Sequence, residues 1–271
     1  MKKVIVVLLV SLVSLSSIFT NAQQQHSADD VAKKLANPVA NLINVPLQFN
    51  YQFNINGKYV HENGYKMLLN IQPVIPVHLG KGINLVSRVI IPVIAQKDVL
   101  GYNSKETGMG DILYTAFVSP SGSKIIWGIG PVFSIPTATN ELLGTKKLSI
   151  GPSGVILVQP GKWTIGALVN QLWSVAGSSS RSDVNAGFVQ PFISYVVGGG
   201  FTVGVSSENE YDWKNKMLVS GLAAANISQV FKFGGKQPAS ISLSPVIYYA
   251  NSSVQKPEWG IRSSFTLIFS E

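Results

Sequence analysis

Three histidines, His26, His61 and His78, are the first residues to weigh for chemistry in this chain. No two share a spacing that suits tetrahedral metal ligation, which takes nitrogen or sulfur donors at short, regular separations. There is no cysteine, so disulfides, thiolate metal sites and a thiol nucleophile are all excluded. Serine is abundant, but no GxSxG nucleophile elbow occurs. A Ser-His-acid site could still assemble in space, with His78 as its base; the plainer expectation is a hydrogen-bonded histidine at a strand end. Gly198-Gly199-Gly200 lacks the lysine and helix of a phosphate loop and reads as a tight turn. The remaining polar residues with a pattern are amides and arginines. Gln48, Asn50, Gln52 and Asn54 recur at every second position, as do Asn70 and Gln72, and Arg88 and Arg262 each stand between residues that share the opposite parity, Ser87 and Val89, and Ile261 and Ser263. Side chains so spaced do no covalent chemistry. They can line a polar path.

The elements that carry them are strands. From Val45 to Asn56, apolar Val45, Leu47, Phe49, Tyr51, Phe53 and Ile55 alternate with Pro46 and amides. Period-2 alternation over twelve residues is a strand signal. It is also longer than the five or six residues common in soluble sheets and matches the 9–11 residues of a tilted strand crossing a bilayer. Further strands are expected at 66–77, 83–96, 111–119, 124–136, 147–158, 162–174, 184–197, 201–207, 217–231, 238–250 and 258–269, twelve in all. The connections alternate in length. Longer polar loops fall at 57–65, 97–110, 137–146, 175–183, 208–216 and 251–257, and shorter turns at 78–82, 120–123, 159–161, 198–200 and 232–237. Short periplasmic turns, longer outer loops and an even strand number are the pattern of outer-membrane barrels. It puts both chain ends on the periplasmic side.

Strand parity assigns the faces. Val45 to Ile55, Met67, Leu69, Ile71, Ile75 and Val77 are expected toward lipid, with Asn50, Gln52, Asn54, Asn70, Gln72 and His78 inward. Arg88 and Arg262 are placed in the lumen by energy: an arginine facing lipid at mid-bilayer costs about 2–4 kcal/mol. These amides and arginines either fill and hydrogen-bond a narrow interior or line a path for a small solute. Trp127, Trp163, Trp173, Trp213 and Trp259 suit interfacial girdles, or are ordinary buried tryptophans. Proline inside the strands (Pro46, Pro73, Pro76, Pro92, Pro131, Pro152, Pro191 and Pro245) opposes the reading, because proline cannot donate to a ladder and a closed barrel has no free edge. Those residues must sit at bulges, at bends, or at strand ends beyond the partner.

Composition agrees with export and membrane residence. Of 271 residues, 46% are apolar and only 13% charged, about half the usual charged share, and mean hydropathy is +0.25. A basic MKK, the apolar stretch VIVVLLVSLVSLSSIF and small residues ending at Ala22 read as a signal peptide over 1–22. Beyond it no apolar run is long enough for a spanning helix. Residues 23–44 form a leader with one short helix at 28–36, begun by Ser27 with Asp30 and stopped by Asn37-Pro38; it is a disordered leader or a plug entering the barrel. The barrel itself is assigned to 45–271. Without Lys2 and Lys3 the chain has 19 basic and 13 acidic residues, or +6. The excess is spread thinly, which excludes a nucleic-acid face and suits membrane lipid and lipopolysaccharide as partners.

The segments ANPVANLINVPLQFNYQFN, LNIQPVIPV, LVSRVIIPVIAQ, GMGDI, IIWGIGPVFSIPTAT, GALVNQLWSVAG, VNAGFVQPFISY and GKQPASISL resemble, in that order, those of a family of bacterial outer-membrane proteins. That family is labelled MetA-pathway phenol degradation or "transporter", with some members mislabelled neuromedin U. The match runs from about residue 31 to the end. The resemblance implies an outer-membrane β-barrel acting as a channel for hydrophobic or aromatic small molecules, and it implies that the prolines mark built-in bulges. It carries no site residues, no cofactor and no catalytic activity. The expectation is therefore an all-β, twelve-stranded antiparallel up-and-down barrel in the bacterial outer membrane that passes or binds a small solute. The alternatives are a structural or adhesive barrel working through its outer loops, and a barrel lipase-type hydrolase. Oligomeric state is left open. One departure stands out: Phe269 is followed by Ser270 and Glu271, whereas barrel insertion signals commonly end on an aromatic residue.

Overall fold

The computed structural model of the chain describes residues 28–57, 60–101, 103–251 and 257–269, without the side chains of 56–63 and 251. The expected signal peptide and cleavage site, His26, Ser27, the His61 side chain and the Ser270-Glu271 tail lie outside what is described.

Among the described residues one α-helix, α1 (Ala28–Leu35), precedes fourteen strands. These are β1 (Ile43–Gly57), β2 (Val60–Ile71), β3 (Val74–Gly80), β4 (Ile83–Lys97), β5 (Lys105–Met109), β6 (Ile112–Pro120), β7 (Ile125–Ile135), β8 (Lys147–Val158), β9 (Trp163–Gly177), β10 (Asn185–Gly198), β11 (Phe201–Asp212), β12 (Met217–Phe233), β13 (Gln237–Asn251) and β14 (Trp259–Phe269). β2 and β3 are one stave broken at Gln72-Pro73, and β5 and β6 one stave broken at Gly110-Asp111, because both halves of each pair with β4. That leaves twelve staves, all antiparallel. β14 pairs with β1 from Phe269–Ile43 to Trp259–Phe53, which closes the barrel. Closure removes the sheet edge that lipid could not satisfy.

The outer wall is what the alternation demands in lipid. Met67, Ile75, Val77, Ile129, Ile156, Val205, Ile241 and Ile247 are exposed, a cost in water but none in hydrocarbon. All five tryptophans are exposed too. Trp127 and Trp163 lie near the short-turn end of their strands and Trp173, Trp213 and Trp259 near the other, as two girdles.

Every in-strand proline sits where one neighbouring ladder steps over it. The β10–β11 ladder passes from Val189–Asn209 to Phe192–Ser206, skipping Pro191. The β12–β13 ladder passes from Ala224–Val246 to Ile227–Leu243, skipping Pro245. Pro131 and Pro152 are skipped in the same way by β6 and β9. Pro46 and Pro73 flank the β2–β3 break, Pro92 faces the β5–β6 break through a hydrogen bond from Gly110 N to its carbonyl, and Pro76 lies past the start of β1. Glycines preceding two of them allow tight strand approach: a Cβ on Gly130 would fall 1.7 Å from Ala116 O, and one on Gly151 1.8 Å from Gln171 O.

Two expected loops are largely strand. β1 and β2 meet with two residues between them, and β11 continues to Asp212, so 57–65 and 208–216 are mostly hairpin extension. Their sequences read as loops because beyond the lipid neither face has to be apolar. In the first strand the structure corrects the parity. A bulge between Gln52 and Ile55 puts Asn54 at φ 53° and turns Ile55 inward, where it is 1% exposed rather than lipid-facing.

Candidate functional site: the barrel lumen

The lumen is crossed by a row of hydrogen bonds between side chains from opposite walls. Arg88 Nη2 on β4 donates to Gln72 Oε1 at 2.9 Å, and Gln72 Nε2 donates to Gln48 Oε1 on β1 at 3.1 Å. Gln48 Nε2 donates to Asn50 Oδ1 at 3.2 Å. Asn50 Oδ1 also accepts from Arg262 Nε of β14 at 2.7 Å. Arg262 grips Glu208 of β11 with both terminal nitrogens, at 2.6 and 3.2 Å. Gln190 of β10 donates to Glu208 at 3.4 Å, at the far end. Each member sits there for a local reason. The Gln48/Asn50 and Arg262 positions are inward by strand parity, and Gln72 is freed from a ladder by the β2–β3 break, with its N–H going to Pro46 O.

On either side of this bar lies a cavity of about 360 and 370 Å³, and Gln48, Gln72, Arg88, Gln190 and Arg262 line both. Both lie within the range of small-molecule pockets, about 300–1,000 Å³. Their walls differ in character around the barrel. One side, from β4 through β10, is apolar: Val86, Phe117, Val155, Leu157 and Leu168 form a buried cluster with Phe188 and Phe192 against it. The opposite side, in the inner cavity, is hydroxylic, with Ser240, Ser242 and Ser244 of β13 beside Ser264 and Thr266 of β14.

The inner cavity is floored by the N-terminal segment, and Ala32, Leu35, Asn37, Pro38 and Ala40 line it. Val31, Ala32, Ala40 and Leu42 pack against Val196, Val230 and Ile268 of the barrel wall. Two polar anchors fix α1 to the short turns. Asp29 Oδ1 accepts from Gly200 N at 2.7 Å. Lys33 Nζ donates to Gln159 O and Gly161 O at 3.2 and 2.6 Å, and Gln159 Nε2 returns a bond to Lys33 O at 2.9 Å.

Among the residues expected inward, Asn50, Gln72, Arg88 and Arg262 come together in the bar. Asn70 lines the outer cavity alone. Gln52 bonds Tyr248 and lines neither cavity. Asn54 does not reach the lumen: the bulge turns it to the outer rim, where Nδ2 donates to Glu258 Oε2 at 3.0 Å. Glu208, Gln190 and the β13 serines were missed. Glu208 reads as loop because the apolar period ends before it. The serines carry a legible signal, Ser240, Ser242 and Ser244 alternating with Ile241 and Leu243.

His78 is exposed, and its Nδ1 faces Asn84 Oδ1 at 3.0 Å. The buried hydroxyl of Ser119, which pairs with Asn84 across β4 and β6, donates to Trp127 O at 2.7 Å. No serine–histidine bond forms among the described residues, and no group of three His, Asp or Glu converges there to hold a metal.

A closed twelve-stave barrel with a lipid-compatible wall, two tryptophan girdles and an occupied lumen is an outer-membrane β-barrel. A solved structure shares the fold. The outer-membrane channel COG4313 from Pseudomonas putida F1 superposes with a TM-score of 0.68 over 92% of this chain and 100% of its own, at 12% identity. Outer membrane phospholipase A from Escherichia coli gives 0.49 over 90% and 98%, also at 12% identity. The toluene transporter TodX of Pseudomonas putida gives 0.38 over 88% and 93%, at 8%. No family model and no curated sequence matches the chain.

Proposed function

We propose that this protein is a passive outer-membrane channel that binds and passes small hydrophobic or aromatic molecules and performs no chemistry on them. The observation that carries this is the lumen itself: two cavities in series, each with an apolar and a polar side, separated by a bar made of side chains alone. An apolar solute slides along the Phe117–Leu168–Phe188 side of the outer cavity, while the amides there and the hydroxyls of the inner cavity keep the space wetted. Side-chain bars rearrange without disturbing a backbone ladder. The channel described for COG4313 from Pseudomonas putida F1 shares the fold, and the resemblance to the phenol-degradation "transporter" family points the same way. In this reading Asn50, Asn70, Gln72, Arg88 and Arg262 line the path, and α1 with residues 36–42 is a removable floor. The signal peptide is cleaved after Ala22, and the outer wall contacts lipid and lipopolysaccharide.

The test is permeation through proteoliposomes by the parent chain and by an Asp29→Ala/Lys33→Ala double variant. These substitutions remove the side-chain anchors of α1, leaving only the Gln159 bond to the Lys33 carbonyl, and leave the lumen untouched. Swelling with aromatic solutes is expected to be slow in the parent and several-fold faster in the variant. Absence of ionic conductance and of solute swelling in both would sink the channel reading.

A further inference from the structure

The outer cavity holds a guanidinium, Arg88, that makes no ion-pair contact among the described residues. Arg88 and Arg262 both reach it, yet only Arg262 is paired, with Glu208. Among the described residues Arg88 has no carboxylate within ion-pair distance; its one described bond in the bar is Nη2 to the neutral Gln72. A guanidinium carries five donors in a rigid fork and no acceptor, so most of its donor capacity is open toward the cavities. A charge set in a low-dielectric wall is costly unless something neutral or anionic completes it.

What surrounds Arg88 limits the candidates. On the same side of the outer cavity stand Ile90, Leu113, Phe117, Leu168 and Phe188. A small inorganic anion would gain nothing from them, and a hydrocarbon would gain nothing from the guanidinium. We infer that the outer cavity is a binding site for amphipathic monocarboxylates, with the carboxylate on Arg88 and an aromatic or short aliphatic body against Phe117, Leu168 and Phe188. This deepens the channel reading and rests on it for how the ligand arrives.

The other charges fix the ligand's orientation. Glu208 is neutralised by Arg262 through two bonds. Glu210, two residues further along β11 toward the outer end, also lines the cavity. Two residues of strand span roughly 6.6 Å. A carboxylate is therefore repelled from the outer end and drawn to the floor, where Arg88, Gln72 and Gln190 offer donors. The bar that divides the lumen then serves as the receptor for the anionic head. An arriving carboxylate competes with Gln72 Oε1 for the guanidinium and releases Gln72 from Arg88, which loosens the bar at one end.

Binding of phenylacetate, 2-phenylethanol and 2-phenylethylamine to the full chain in detergent, by equilibrium dialysis, tests the assignment. Phenylacetate is expected to bind at least tenfold tighter than the alcohol and far tighter than the amine. Arg88→Gln is expected to remove that preference and Arg88→Lys to keep most of it, with gel mobility reporting whether each variant has folded. The comparison of the three ligands on the parent chain needs no variant. Equal affinity for acid and alcohol, or phenylacetate binding unchanged in folded Arg88→Gln, overturns the site. Flux in vesicles separates the two proposals. Solute flux without acid preference leaves the channel and refutes the site, whereas acid binding without any flux keeps the site and refutes the channel.

Discussion

Replacing Arg262 by methionine keeps most of the side-chain length but removes the two bonds to Glu208 at 2.6 and 3.2 Å and the one to Asn50 at 2.7 Å. The pair joins β14 to β11, staves that are not neighbours in the sheet, so no ladder bond substitutes for it. Removing one partner of a fully buried pair costs about 3–5 kcal/mol, chiefly by stranding the other charge. The two side chains here keep 17% and 21% of their exposure, so lumen water relieves part of that, and we expect about 2–3 kcal/mol for Arg262→Met. Glu208→Leu strands Arg262 and is expected to cost about the same. The double variant strands no charge. Its loss should be close to that of either single change, giving an interaction energy of about 2 kcal/mol in a double-mutant cycle. Urea unfolding from lipid vesicles, followed by tryptophan fluorescence and by the mobility of folded barrel on gels, measures all three. If the single losses add to within about 0.5 kcal/mol, the pair is uncoupled and the bar is not a structural unit.

Two further outcomes follow from the wall and the rim. Gly130→Ala puts a methyl 1.7 Å from Ala116 O, a backbone atom with no room to yield, so assembly yield on gels is expected to fall several-fold; normal yield would mean that β6 and β7 separate freely at Pro131. At the outer rim, Lys146 bonds to Glu141 and Lys147 to Asp183, which holds both carboxyls below their ordinary values. The folded-state values being depressed, this order is fully present above about pH 4.5 and is lost as the pH falls through the lower folded values. Amide exchange of 137–146 is therefore expected to be the same at pH 7 and 5 and faster only at still lower pH, beyond the intrinsic change in exchange rate; loosening already at pH 5–6 would refute it.

The sequence by itself determined the wall. Lipid penalises an outward polar side chain so steeply that every second residue in each strand is constrained, and this made the strands, their number and the lumenal parity of Arg88 and Arg262 legible. The same penalty explains the prolines: with no free edge available, each had to coincide with a ladder interruption, and each does. Where lipid ceases to act the signal ended, so the extensions of β1, β2 and β11 looked like loops and the bulge that reversed Asn54 and Ile55 left no trace in the alternation. Only the tertiary structure decided what fills the lumen. Arg262 finds Glu208 at a separation of 54 residues and Lys33 finds Gln159 at 126, and nothing local in either segment encodes those meetings. They depend on barrel closure and stagger, which set the heights of opposing side chains and thereby leave Arg262 paired and Arg88 open.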